Sequence, residues 1–474
     1  IGGGFANGIT GRSAFIGAGE GNGAEALNSF VGAGTFDDVS GAGAFVGAGG
    51  ETYVIAANSR DNLPTVYNNI ASGTDSFVGA GDFNQVSGQG SFIGAGGSSY
   101  AATGATSASN AVAGVDSFIG AGDQNSVSGS SSFVGAGQGN SINSPGSFIG
   151  SGGYLSSTTT GLANVISGTD AFIGAGDANV VSANDAFIGG GLGNRITAGT
   201  DAAIAGGDGN TVSGAYGAVA GGYHNSATAS GAAVGGGSTS SATGAYATIP
   251  GGYLNAANGT GSFAAGTQAK ARHNGAFVWS DNNGTAEVQS TAPYQFVARA
   301  SGGFFLFTDA TSKTGVKLNP GSGAWAALSD RTMKTGVVAL DDAAVLAKVA
   351  ALPVSEWSYA AEHGVRHVGP MAQDFYAAFR VGEDDRHITS IDEDGVALAA
   401  IKALAAQNHG LHAETQALHQ ENRGLQAQTR GLRSENRDLR ERLARDAARF
   451  DRDEAQRARD DARLLALERK VNAL

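Results

Sequence analysis

The sequence predicts a mainly β protein, a stacked solenoid array followed by a small mixed segment and a long coiled-coil helix. Three observations carry this. A phrase of the type Ser/Ala-Phe-Ile/Val-Gly-Ala/Gly-Gly recurs on a 15-residue step; glycine supplies 77 of the 474 residues, mostly before residue 270; and leucine recurs every seventh residue near the C-terminus.

The phrase is centred on Phe15, Phe30, Phe45, Phe77, Phe92, Phe118, Phe133, Phe148, Phe172 and Phe187, and weakens to Ala203, Ala218, Ala233, Thr248 and Phe263. About five residues after its glycines comes Asn-x-Val/Ile-x-x-Gly, as in Asn125-Ser126-Val127-Ser128-Gly129. Each unit thus holds two short β-prone stretches separated by Gly/Asn turns. One unit cannot bury its own apolar side, whereas stacked neighbours form a continuous core. Fifteen coils at strand spacing predict a rod of about 70 Å over residues 1–267.

Three steps are long: Phe45 to Phe77, Phe92 to Phe118 and Phe148 to Phe172. The extra residues, near 50–68, 97–110 and 153–163, enter at one phase of the repeat and would project from one side. They are candidate loops for a cell-surface glycan or receptor, against the plainer reading of drift in a tolerant turn.

Charge narrows the partners. Residues 1–267 carry three basic residues (Arg12, Arg60, Arg195) against fifteen acidic ones, which repels phosphate and excludes nucleic acid. No apolar run is long enough for a membrane-spanning helix. Cysteine is absent, so neither a disulfide nor a Cys-based metal site forms. The Gly-x-Gly-x-x-Gly matches, such as that around Gly17, open no helix of a βαβ unit, and no cofactor is expected. Asp82, Asp123 and Asp177 read as turn residues, and no metal is expected. The chain opens on Ile1 in mid-pattern, so a preceding attachment or signal segment is expected.

Residues 268–328 read as a β neck. Phe277, Trp279, Phe296 and Phe304 supply bulk, and Asn319-Pro320-Gly321-Ser322-Gly323 supplies a closing turn. His273 and Arg299 are receptor-contact candidates, with structural roles preferred.

The next segment, residues 329–400, opens with Ser329-Asp330-Arg331-Thr332-Met333-Lys334. A serine hydroxyl is a poor nucleophile until a base removes its proton, and a lysine made neutral by burial can be that base. A serine five residues before a lysine carries little information alone. Here it is followed by Leu352-Pro353-Val354-Ser355-Glu356-Trp357-Ser358-Tyr359, by Arg366-His367-Val368-Gly369-Pro370-Met371-Ala372-Gln373-Asp374-Phe375, and by Ile391-Asp392-Glu393-Asp394-Gly395 entering the terminal helix.

In residues 401–474, leucines 404, 411, 418, 425, 432 and 439 take the d positions of a heptad. Ile401, Asn408, Thr415, Asn422, Thr429 and Asn436 take the a positions. Sustained heptads predict a coiled coil, and polar a residues fix its register at a cost in stability. The acidic stretch 381–395 ahead of the seam excludes a DNA-binding basic zipper.

Two resemblances add to this. Residues 1–280 resemble the left-handed β-roll heads of trimeric autotransporter adhesins and related phage-fibre repeats, which implies a parallel homotrimer. The step of 15 departs from the 14 common in such heads. No alternating β-barrel anchor closes the chain, which counts against an autotransporter. Residues 325–415 resemble the self-cleaving intramolecular chaperone domain of phage tailspikes, endosialidases and tail fibres, also found in bacterial surface proteins and some membrane-bound transcription factors. That resemblance implies Ser329 as nucleophile, Lys334 as its base, and cleavage of the Leu328–Ser329 bond. Asp330 and His367 are accessory candidates, with a cap and a buried structural histidine as their plainer roles. It further implies three strands in the coiled coil, a virion or cell-surface location, and at most a single-turnover endopeptidase. Two other readings stay open: an adhesin-like surface protein whose chaperone domain is not processed, and a polysaccharide depolymerase, for which the array offers no clustered carboxylate pair.

Overall fold

A computed structural model of the chain describes residues 1–53, 65–97, 109–153 and 162–472. The expected insertion loops fall largely outside these residues. Of the first, only its two ends are described, as an antiparallel pair of Glu51–Tyr53 with Thr65–Tyr67. The chain divides into two compact units, Ile1–Leu328 and Ser329–Leu474.

In the first unit every coil contributes two strands of about two residues to two parallel ladders. Phe133–Val134 pairs with Phe148–Ile149, and Ser126–Val127 with Ser141–Ile142. Alternation along so short a strand decides the core. Val134, Ile149, Val127 and Ile142 point inward and are wholly buried, while the phenylalanines point outward and remain half-buried. Burying each such Val or Ile stabilises by about 1.5–3 kcal/mol, which a single coil could not achieve alone. The outward rings stack in a column, with centroids 4.8 Å apart for Phe118 and Phe133 and 5.0 Å for Phe133 and Phe148. The column passes over the long steps without a gap: Phe45 stacks on Phe77, Phe92 on Phe118 and Phe148 on Phe172. Glycine is required where coils touch. A Cβ at Gly135 would lie 2.2 Å from the carbonyl oxygen of Gly150. At Gly122, φ is +108° and the corresponding clash, with Gly137, is at 2.0 Å.

The repeated asparagine is not the turn residue expected from its type. It is buried and builds a ladder through the interior. Asn140 Nδ2 donates to Asn125 Oδ1 at 3.0 Å and to the Gly152 carbonyl at 2.7 Å, while Asn140 N–H donates to the same Asn125 Oδ1 at 3.0 Å. The amide side chain satisfies backbone groups that a two-residue strand leaves unpaired at its bends. Asp37 and Ser240 stand in this column in place of asparagine.

The parallel stacking also runs past residue 267, the limit expected from the repeat phrase. Phe263–Thr267 pairs with Phe277–Ser280, and that strand with Phe296–Arg299. Among the described residues one ladder therefore counts 17 strands rather than fifteen, a stack of about 80 Å. The phrase fades here, but its packing does not: Phe263, Phe277 and Phe296 stack at 4.5 and 4.7 Å. Arg299 closes the last coil, donating to the Asp281 carboxylate at 2.9 Å, to Ser280 Oγ and to two carbonyls. His273 Nδ1 bonds Ser290 Oγ at 2.9 Å. Both side chains are engaged within the fold. A three-stranded antiparallel sheet follows, Phe304–Phe307, Gly315–Leu318 and Trp325–Ala327.

The second unit begins with a 3₁₀ turn at Arg331–Met333 and helix α1, Asp342–Ala351, whose first N–H groups are capped by Asp341. A hairpin of Ser355–Trp357 with His367–Gly369 comes next, then α2, Ala372–Phe379, which ends on Arg380 with φ +55°. Helix α3, Ser390–Val471, is continuous for 82 residues. It starts on Thr389, whose Oγ1 accepts Asp392 N–H at 3.2 Å and donates to the Asp392 carboxylate at 2.7 Å. Helix α1 packs on the beginning of α3, where Ala399, Ala400 and Ala403 are buried and Lys402 bridges to Asp342 at 2.6 Å. Beyond that turn the heptad leucines are 51–60% exposed in the single chain. No described helix is long and apolar enough to cross a membrane.

Candidate autoprocessing site

Asp330 shapes the site. Its Oδ1 accepts the Thr332 N–H and the Thr332 hydroxyl, each at 2.8 Å, and so caps the 3₁₀ turn. The Lys334 N–H closes the turn on the Arg331 carbonyl at 3.2 Å. Folding five residues back in this way places Lys334 Nζ 2.6 Å from Ser329 Oγ. The Thr332 N–H, and then its hydroxyl, hold the Asp330 carboxyl below the usual carboxylate range. Asp330 is thus an ionised cap whose side chain bonds Thr332 rather than Ser329 or Lys334.

Ser329 and Lys334 are both exposed in the single chain. On the other side of the bond, Leu328 continues the strand Trp325–Ala327, with its N–H on the Gly315 carbonyl at 3.3 Å.

His367 belongs to a different cluster. It sits on the hairpin strand with its ring against Trp357 (centroids 4.8 Å) and Tyr359 (5.6 Å), which also touch each other, and Nε2 meets Glu362 Oε2 at 3.0 Å. Gly369, Pro370 and Gln373 line a concavity of about 390 Å³ beside Trp357, Arg386 and Glu393. Two partnerships escape a reading by residue type: Thr332 as the group that Asp330 caps, and Glu362 as the partner of His367. The short spacing Asp-x-Thr is a capping signal and could have located the first.

No curated protein matches the chain. Residues 329–381, which begin at Ser329 and include Lys334 and the hairpin, match the family model described as chaperone of endosialidase.

Proposed function

We propose that the chain is a subunit of a homotrimeric fibre of the tail-fibre or tailspike type, on a virion or a cell surface. Its C-terminal unit directs assembly and is then released by cleavage of the Leu328–Ser329 bond. The observation that carries this reading is the 2.6 Å contact between Lys334 Nζ and Ser329 Oγ at the first residue of the chaperone match.

The chemistry balances as follows. Neutral Lys334 takes the Ser329 hydroxyl proton as Oγ attacks the Leu328 carbonyl carbon, giving a five-membered ring with a tetrahedral carbon. The ring opens by breaking the bond from that carbon to the Ser329 nitrogen, which receives the proton from the Lys334 ammonium. An ester between Leu328 and Ser329 Oγ remains. One water hydrolyses it to a Leu328 carboxylate and a free Ser329 hydroxyl and α-amine.

A neutral lysine is favoured by burial, and neither partner is buried in one chain. Enclosure must come from other copies, so cleavage follows assembly. Long β arrays built on contacts between chains fold slowly, and a C-terminal unit that trimerises first raises effective concentration and sets register. Its removal leaves a fibre that cannot readily reassemble once opened, which is kinetic stability. Array loops would then be free to meet a surface glycan or receptor.

Ser329→Ala and Lys334→Ala should each abolish fragmentation while leaving the oligomer intact. Neutral hydroxylamine, which cleaves esters, should accelerate release in wild type and leave Ser329→Ala unaffected. Unchanged cleavage in Ser329→Ala would overturn the assignment.

A further inference from the structure

The antiparallel sheet just before the cut presents an uncovered apolar face. Cross-strand register places Phe304, Leu318 and Trp325 in one row and Leu306, Val316 and Ala327 in the next, all on the same side. This face carries no polar side chain. Leu306 and Trp325 are each 55% exposed in the single chain. A sheet that is apolar on one face must bury that face against another element.

We infer that the cover is the same face of the other copies of this chain, and that this contact clasps the fibre together after the C-terminal unit has left. The inference rests on the assembly reading above and adds the surface responsible. Three features choose the occupant. The exposed heptad leucines of α3 call for parallel, in-register partners, and in-register copies bring residue 325 of one chain level with residue 325 of the next. The face is identical on every copy and carries no charge to oppose self-association. Its last strand, Trp325–Ala327, is followed by Leu328 and then Ser329, so the whole sheet stays with the array fragment.

The test uses the full chain with Leu306→Ser and Trp325→Ser together, and Lys313→Ser in the adjoining hairpin loop as control. After self-cleavage, the mass of the 1–328 fragment is followed by light scattering on dilution. Wild type and control should remain trimeric, whereas the double variant should dissociate at a concentration at least tenfold higher. A double-variant fragment as resistant to dilution as wild type overturns the clasp. If the chain assembles without cutting itself, the function reading fails separately. The same comparison then proceeds with a specific protease site inserted between residues 328 and 329. A second measurement avoids destabilising variants: in a Trp279→Phe background, Trp325 of the released wild-type fragment should be shielded from acrylamide. Quenching as fast as in a denatured control contradicts the inference.

Discussion

Asp37 shows how much one atom matters inside the array. It holds a place in the asparagine ladder, with its N–H on Asn22 Oδ1 and its own Oδ1 accepting from Asn69 Nδ2 at 3.0 Å. Its Oδ2 is buried without a donor, where asparagines elsewhere in the column present an NH₂ group to glycine carbonyls. Burial pushes the carboxyl up to about 7, and the Asp82 charge adds to this, while the bonds from Asn69 oppose it. The folded coil therefore binds a proton that the unfolded chain releases at ordinary acidity. Stability falls as pH rises from about 4 through about 7 and levels off above. Asp37→Asn should remove most of this dependence, leaving the part due to Asp38, which burial and then the Glu25 charge also raise, and strengthen the N-terminal coils at pH 8 by a few kcal/mol, on the order set by a shift of this size. Hydrogen exchange of the amides around residues 31–39 at pH 5 and pH 8 checks it; equal protection in wild type at both values contradicts it. At the proposed processing site, Asp330→Ala removes a cap and should slow cleavage less than tenfold. A loss of a hundredfold or more, matching Lys334→Ala, would make Asp330 part of the reacting group.

Among elements, the two-residue strand gives sharply different roles to adjacent positions. Ile149→Ala opens a void in the closed interior and should cost about 2–5 kcal/mol in its coil. Phe148→Ala removes a half-exposed ring between two stacked neighbours, and in a single chain should cost less. If copies cover the phenylalanine column, the two costs converge in the assembled fibre. Native-state hydrogen exchange at the Gly135 and Gly150 amides, compared between single chains and trimers, separates the cases. Gly122→Ala should break its coil outright, since φ and the clash at 2.0 Å both forbid a side chain. In α3, Leu418→Ala with Leu425→Ala should lower the melting temperature and abolish assembly. Asn422→Ile should raise it while loosening the choice of register. Circular dichroism and sedimentation follow both.

For the whole molecule, the legible parts were those where a side-chain period equals a structural period. The 15-residue recurrence of phenylalanine is the length of chain in one coil, and leucine at every seventh position is the seam of α3. The asparagine ladder was misread as turns because residue type alone does not tell an amide that caps a bend from one that threads a core. The last coils were missed because their steps change to 14 and 19 residues, although their rings still stack. The Ser329–Lys334 pair was legible only through the phrases that follow it, since the spacing alone is common. The exposure of both residues in one chain lay beyond the sequence, because burial is set by packing in three dimensions and not by residue type or spacing. The central claim is that assembly switches this pair into cutting its own chain. Native and denaturing mass spectrometry of the same purified oligomer test it most directly. The account predicts a trimer whose denatured components are residues 1–328 and 329–474, with Ser329 as the new N-terminus and an intact chain in Lys334→Ala. A correctly assembled wild-type trimer of uncut 474-residue chains would contradict it.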